Sequence, residues 1–423
     1  MTKVPSFLDA DLKGKVVLMR VDHNVVKKGK IKDPMRIEST IPTILHVYKK
    51  GGLPILMTHV GRPYDKKTGE ISISDDNSVR PIVDYLQEKL QLKGIIPACA
   101  ASGPEGITDL NPIASAVQEM KAGKVDFVYL PNTRWFKGEE SKNEASDLLA
   151  QGLAANADLF INDAFGSWQP HASTFNITKF LPSYAGLLMQ KEIDNLSKVF
   201  EPKRPLVSVV AGSKFDTKMG PLSSLIKISD KLVLGGVLYN AYLAVKYNLS
   251  IEGLDQSDLD LAAQFLKDIE PYKDRIVELP WIIESDSFEN AENHRAHRVA
   301  DLKPGTKLNY VLDIDPRSFE DEDVKQVFAS AATIFVNAVM GYTTLFQEGT
   351  KAFNSLLDAS SQAQKLIGGG DTIQDFRELL PGVFAKAKND PKYYFFTGGG
   401  AILDSIVQGS PYGIKPVQAL IKE

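Results

Sequence analysis

The feature that most restricts what this chain can fold into is an alternation of short apolar runs with amphipathic stretches, which fills the N-terminal half and restarts after residue 200. Apolar runs at 16–21 (V-V-L-M-R-V), 54–58, 126–130 and 159–163 have the length of buried strands. Between them, Ile37, Ile41, Ile44, Leu45 and Tyr48 recur at helical spacing, as do Ala145, Leu148, Leu149 and Leu153. The second half offers strand candidates at 206–211, 231–234, 308–314, 333–337, 365–367 and 393–397, with helical segments between most of them. Strands that alternate with helices predict right-handed βαβ units and parallel sheets covered on both faces. The expected fold is therefore α/β: two doubly wound parallel-sheet (Rossmann-like) lobes. Residues 182–205 place Leu187, Leu188, Glu192, Asn195 and Leu196 on one helix bounded by prolines, a natural inter-lobe connector.

A chain of 423 residues is longer than one ordinary domain, in keeping with two lobes. Its net charge of −4 gives no basic field for nucleic acid. The single cysteine, Cys99, rules out an intramolecular disulfide and points to a reducing compartment. With no evident base beside it, Cys99 is expected to be a packing residue. The N-terminus is too polar for a secretory signal and no apolar run is long enough to span a bilayer, so a cytoplasmic protein is expected.

Ligands of open parallel sheets bind beyond the carboxyl ends of the strands, where this sequence gathers its polar residues. In the first half these are R-V-D-H-N (20–24), T-H-V-G-R-P (58–63), N-T-R-W (132–135) and N-D-A-F-G-S (162–167). They supply Arg20, His59, Arg62 and Arg134, with Arg36 nearby. Guanidinium groups suit carboxylate and phosphate oxygens through paired, charge-assisted hydrogen bonds. In the second half the clusters are A-G-S-K-F-D-T-K (211–218), G-G (235–236), G-G-G-D-T (368–372) and T-G-G-G-A (397–401). Glycine lets backbone N–H groups approach phosphate, and a following helix adds its positive end. One lobe is thus suited to a small anion and the other to a nucleotide.

Blander readings stand beside each signal. A glycine triplet is often a tight turn, and Lys214 and Lys218 could be solvated lysines. His59 could cap backbone groups, and Arg134 could pair with Glu139 or Glu140. His46, His294 and His297 are expected to be structural or exposed. No His/Cys/Asp cluster has transition-metal spacing, so a bound cation would be Mg²⁺ carried with the nucleotide. Neither the dinucleotide fingerprint nor the Walker pattern is present, which disfavours a dehydrogenase or a P-loop NTPase.

In order and along nearly the whole chain, these motifs resemble the phosphoglycerate kinase family. R-V-D-H-N is similar to its first substrate loop, D-P-M-R-I carries Arg36 at its essential arginine, and T-H-V-G-R-P matches its His-x-x-Arg through His59 and Arg62. N-T-R-W-F, F-I-N-D-A-F-G-S, A-G-L-L-M-Q-K-E, G-S-K-F-D-T-K, G-G-G-D-T and T-G-G-G-A continue the match. The resemblance implies a hinge-bending, monomeric enzyme that moves a phosphoryl group between 1,3-bisphosphoglycerate and ADP, giving 3-phosphoglycerate and ATP. It implies a substrate lobe at 1–185, the inter-lobe helix at 186–202, a nucleotide lobe at 203–405 and a C-terminal segment, 406–423, returning to the first lobe.

The same resemblance assigns roles. Arg36, Lys214, Lys218, Gly370 and Gly399 would serve the transfer. Asp22, His23, Asn24, His59, Arg62, Arg134 and His171 would bind the glycerate and its non-transferred phosphate. Gly212, Gly235, Gly236, Asn337, Gly341, Thr344, Gly368, Gly369 and Thr372 would hold the nucleotide, and Asp371 the Mg²⁺. Three departures fall in functional places. S-W-Q-P-H-A-S stands where the family has H-R-A-H-A-S, keeping His171 but losing an arginine. V-N-A-V-M-G (336–341) replaces W-N-G-P-M-G, and Thr344 stands at a ribose-binding glutamate, with Glu348 a candidate substitute. The alternatives are a degenerate paralogue that binds without turnover, or a kinase for a related acyl phosphate.

Overall fold

The computed structural model describes residues 4–65 and 67–421. The ends of the expected first lobe and C-terminal segment, residues 1–3 and 422–423, lie outside the described residues. The chain forms two compact units: Met1–Ile193 with Tyr412–Glu423, and Asp194–Pro411. The division falls inside one helix, Leu187–Phe200.

The first unit holds a six-stranded parallel sheet of β1 (Val16–Val21), β2 (Leu53–Met57), β3 (Gly94–Ile95), β4 (Phe127–Tyr129), β5 (Leu159–Asp163) and β6 (Ser183–Ala185), in the order β3-β4-β2-β1-β5-β6. β1 lies between β2 and β5 and is buried along its whole length, which is why it is an unbroken apolar run apart from Arg20. The strand order reverses at β1, the topological switch point at which such sheets open a crevice.

Two helices bury only part of the predicted apolar face, keeping Ile37 and Ile44 in one and Leu149 and Leu153 in the other, and turn the rest outward. Met35–Lys49 buries Ile37, Thr40, Thr43, Ile44 and Val47, while Tyr48 lies on the outside and donates its hydroxyl to Asp126 at 3.0 Å. The inward threonines are tolerated because each is hydrogen-bonded: Thr40 to His23 and the Ile37 carbonyl, Thr43 to the Leu187 amide. Glu144–Ala154 likewise buries Ser146, Leu149, Ala150 and Leu153 and leaves Leu148 64% exposed.

The second unit repeats the architecture with β7 (Leu206–Gly212), β8 (Lys231–Gly235), β9 (Ile276–Val277), β10 (Trp281–Ser285), β11 (His294–Arg298), β12 (Tyr310–Ile314), β13 (Thr333–Asn337), β14 (Gln364–Ile367) and β15 (Tyr393–Phe395). The parallel sheet runs β9-β8-β7-β13-β14-β15. The predicted strand 308–314 does not join it. Lys307–Leu308 pairs with Ser250–Ile251, and β12 pairs antiparallel with β10 in a separate sheet ordered β11-β10-β12. Asn309 separates the two pieces because its backbone N–H donates to the buried Glu284 carboxylate at 2.6 Å. The polar pattern of β11 (H-R-A-H-R) hid that strand from sequence reading. Arg295 and His297 both pair with Glu284, so His297 is structural, as expected.

Candidate active site

In the first unit, the polar groups sit at the carboxyl ends of β1, β2, β4 and β5. Asn132, fully buried, pins two of these loops together: Oδ1 accepts from the Val60 and Arg134 amides, and Nδ2 donates to the Val60 carbonyl at 2.7 Å. Asn24 adds a third loop by accepting from the Gly61 amide at 2.9 Å. Gly61 has φ +64°, a conformation that favours glycine.

On this scaffold, Arg36 in the first turn of its helix meets Asp22 at 3.3 Å. Arg134 donates to the Gly61 carbonyl at 2.5 Å and pairs with Glu140 at 3.0 Å. His171 lies 3.7 Å from the same Glu140 oxygen. Arg20, 1% exposed, donates to His59 Nδ1 at 3.0 Å and to Ser173 Oγ at 2.9 Å. Burial and the surrounding arginines hold the His59 and His171 imidazoles below their ordinary basicity. Two buried atoms, Asp22 Oδ1 and Arg134 Nε, have no partner among the described residues, leaving one acceptor and one donor for a ligand. Arg62 is exposed, on the loop that Asn24 holds.

His23 behaves differently from its neighbours. It is fully buried, with Nδ1 2.9 Å from Tyr129 Oη and Nε2 2.7 Å from Thr40 Oγ1. Thr40 spends its own proton on the Ile37 carbonyl, so Nε2 must donate and Nδ1 accept. Both ring nitrogens are therefore used inside the fold, and burial lowers the imidazole to about 3. The residue's side chain is part of the core rather than of the ligand surface.

In the second unit, the two glycine triplets come together. A Cβ on Gly399 would lie 2.8 Å from Gly369 Cα, and Gly369 itself has φ +113°. The helices Gly370–Leu379 and Gly399–Val407 thus begin side by side, presenting two sets of unpaired N–H groups. Asn337, ending β13, donates to the Gly368 carbonyl at 2.9 Å and accepts from Lys218 Nζ at 2.5 Å. Burial drives the Lys218 ammonium down to about 8, against an upward pull from Asp371. Thr372 is buried behind Gly369, and Asp371 is exposed in the first turn. Gly212 bridges to Gly236, whose φ is +59° and whose added Cβ would lie 2.9 Å from the Gly212 carbonyl. Gly235 packs as closely on Met340. Lys214 is exposed on the loop after β7, which Asp258 anchors by accepting from the Phe215 amide at 2.8 Å.

Gly341 and Thr344 lie on a loop whose organiser sequence reading missed. Asp313, buried within β12, accepts from the Ile314 and Gly349 amides, each at 2.9 Å. Its carboxylate occupies the space a Cβ on Gly341 or Gly349 would need. Thr344 is exposed, and Glu348 opens the helix Glu348–Ala359 beside Lys351. Beside this loop, Phe288 lies 4.2 Å from the Tyr310 ring and 5.8 Å from that of Tyr342. Phe288 and Tyr342 are exposed, giving aromatic surface at this loop. Other residues missed are Glu139 and Ser173, bonded to each other at 2.5 Å behind Arg20. Cys99 is half-buried with its thiol raised to about 11, as suits an inert packing residue.

Among the described residues, no group of three or more His, Cys, Asp and Glu side chains could hold a metal ion, and no helix is long and apolar enough to cross a membrane.

Comparison with known proteins agrees with this arrangement. The chain is 34% identical to the phosphoglycerate kinase of Pseudothermotoga lettingae, with 97% of each chain covered, and 32% identical to that of a Roseiflexus species, with 94% of each covered. The structure of phosphoglycerate kinase from Coxiella burnetii superposes with a TM-score of 0.77 at 25% identity, covering 99% of this chain and 98% of that one. That from Pyrococcus horikoshii has the same fold at 20% identity and a TM-score of 0.75, covering 98% of each chain. The phosphoglycerate kinase family model matches residues 7–409, and the chain belongs to that family.

Proposed function

We propose that this chain catalyses the reversible transfer of the acyl phosphoryl group of 1,3-bisphosphoglycerate to ADP, giving 3-phosphoglycerate and ATP. The observation that carries the reading is the meeting of Gly369 with Gly399 beside Lys218 and Asn337, a cradle of backbone donors and one ammonium suited to a phosphate chain. The arginine-lined pocket of the first unit supplies the complementary site for a small phosphorylated acid.

The transfer is a direct displacement. A terminal ADP oxygen bonds to phosphorus as the bond from phosphorus to the acyl oxygen breaks, and that electron pair remains on the departing carboxylate. No protein nucleophile is required, so the chain contributes positioning and charge neutralisation. Arg36 and Lys214 hold the transferring group. Lys218 and the amides of Gly370 and Gly399 take the nucleotide-side oxygens. Asp22, Asn24, His59, Arg62, Arg134 and His171 hold the glycerate and its other phosphate. Lacking the family's arginine in Ser167–His171 costs a charged hydrogen bond worth about 1.5–3 kcal/mol.

Exposed Asp371, an oxygen donor in the first turn beside Lys218, fits a Mg²⁺ held mainly by nucleotide phosphates; among the described residues no group of three or more His, Cys, Asp and Glu side chains could hold it instead. Bound there, the cation neutralises phosphate charge. Gly212, Gly235, Gly236, Asn337, Gly341, Thr344, Gly368, Gly369 and Thr372 shape the nucleotide side. The aromatic surface of Phe288, Tyr310 and Tyr342 offers a stacking platform for the base. Because the two ligands belong to different units, transfer requires hinge-bending closure, which also excludes water. We place this activity in a cytoplasmic monomer, in keeping with the single cysteine.

The direct test is ATP-dependent phosphorylation of 3-phosphoglycerate by purified protein in a coupled assay. Robust turnover is the expected result. Folded protein that binds MgATP yet shows no turnover would overturn the reading in favour of a non-catalytic paralogue or a different acyl phosphate.

A further inference from the structure

We propose that Arg20 is a positioning residue that locks His59 as its Nε2–H tautomer, so that His59 meets the acidic substrate as an uncharged hydrogen-bond donor. The role given to the substrate rests on the function proposed above, whereas the tautomer does not.

The argument is one of proton accounting. A guanidinium carries only donors. Arg20 Nη2 lies 3.0 Å from Nδ1 of His59, so Nδ1 must offer its lone pair, and the ring's single proton resides on Nε2. Arg20 cannot turn away to serve a ligand instead. It is 1% exposed, and two further donors are held, Nε by Ser173 Oγ at 2.9 Å and Nη1 by the Val21 carbonyl. Ser173 in turn donates its hydroxyl to Glu139 Oε1 at 2.5 Å and its amide to Oε2 at 3.0 Å. Buried Glu139 balances the Arg20 charge through this serine, and Asp22 adds to that balance. The guanidinium is thereby held in the one place where it dictates the state of His59.

The other groups facing His59 act in the same direction. Arg134 from the turn after β4, Arg36 from the helix after β1 and His171 from the segment after β5 all disfavour a second proton on the ring, as does burial. Glu139 and Asp22 face Arg20, while Glu140 faces Arg134 and His171. The pocket's fixed positive charge toward substrate then comes from its arginines, and acidification cannot use His59 to replace the guanidinium missing from Ser167–His171.

The deciding experiment is a long-range ¹H–¹⁵N spectrum of the whole protein labelled at its six histidines, with the His59 signals assigned by their loss in His59→Gln. From about pH 8 to about pH 6, Nδ1 should resonate as an unprotonated nitrogen and Nε2 as a protonated one. The reverse assignment, or an imidazolium by about pH 6, would overturn the proposal. A kinetic readout follows from Arg20→Met, which frees Nδ1 to take a proton. The ratio of its KM for 3-phosphoglycerate to that of the unaltered protein should fall several-fold between about pH 8 and about pH 6. A flat ratio counts against positioning, and if the variant does not fold, the spectrum of the unaltered protein still decides. The reversed tautomer in a fully active enzyme would sink this inference alone. The expected tautomer in a protein that does not bind 3-phosphoglycerate would sink the functional reading and leave the Arg20–His59 relationship intact.

Discussion

The ammonium of Lys218 donates to Oδ1 of Asn337 across 2.5 Å, tying the helix Asp216–Ile228 to the end of β13. Burial lowers this lysine to about 8. Its charge is therefore present below that pH and lost as pH rises through it. The affinity for MgATP should weaken on the alkaline side of about pH 8, and Lys218→Met should remove that limb. Asn337→Asp should shift the limb upward by about a unit, because an adjacent carboxylate favours the charged amine. Initial-rate KM measurements across the range test this; an unchanged limb in the Lys218 variant would remove the lysine from the nucleotide side.

The two triplet glycines should respond differently to a methyl group. At Gly399 an added Cβ would press on Gly369 Cα at 2.8 Å, whereas at Gly370 nothing lies within 4 Å. Gly399→Ala should therefore cut turnover by about 10²–10³-fold, the loss typical of a misplaced transition-state donor, and Gly370→Ala should stay within about threefold. Steady-state kinetics of the pair decides it. Equal effects would mean that the close approach of the triplets does not matter to the reaction.

Arg36 pairs with Asp22 at 3.3 Å and is assigned to the group in transfer. Arg36→Ala should lower kcat by about 10²–10³-fold or more while MgADP binding, measured by calorimetry, changes little. Near-normal turnover would show the assignment to be wrong.

His23 makes a prediction about stability rather than catalysis. Its folded value of about 3 lies below the 6.5 of an unperturbed imidazole. Between these values the unfolded chain binds a proton that the folded one refuses, so its contribution is complete above about pH 6.5 and is lost as pH falls toward 3. The folding equilibrium should lose up to about tenfold per pH unit from this residue in that window. In His23→Phe that increment should vanish, although stranding Tyr129 and Thr40 costs about 1–3 kcal/mol at neutral pH. Urea unfolding of both proteins at about pH 7 and about pH 5 gives the comparison, and parallel losses would refute it.

Much of the candidate site was legible because its residues follow strands directly. Arg20, His59, Arg134, Lys218, Asn337 and the glycine triplets all lie within a few residues of a strand end, where local order in the chain is also order in space. Harder to read were Glu139, Ser173, Asn132 and Asp313. Each acts by bonding to a segment remote in sequence, and nothing local distinguishes Asp313 in a strand from an ordinary misfit. The helix Met35–Lys49 shows the same limit, since its inward threonines find partners outside the helix in His23 and Leu187.

The sequence by itself determined the α/β class, the repeated strand–helix order and the family, because hydrophobic periodicity and glycine chemistry are local properties of the chain. Only the tertiary structure decided that His23 is core, that Arg20 serves His59, that residues 308–314 leave the parallel sheet, and that Gly369 touches Gly399. Those outcomes depend on which distant groups share a buried space, where every donor and acceptor must find a partner and no side chain can be placed independently of its neighbours.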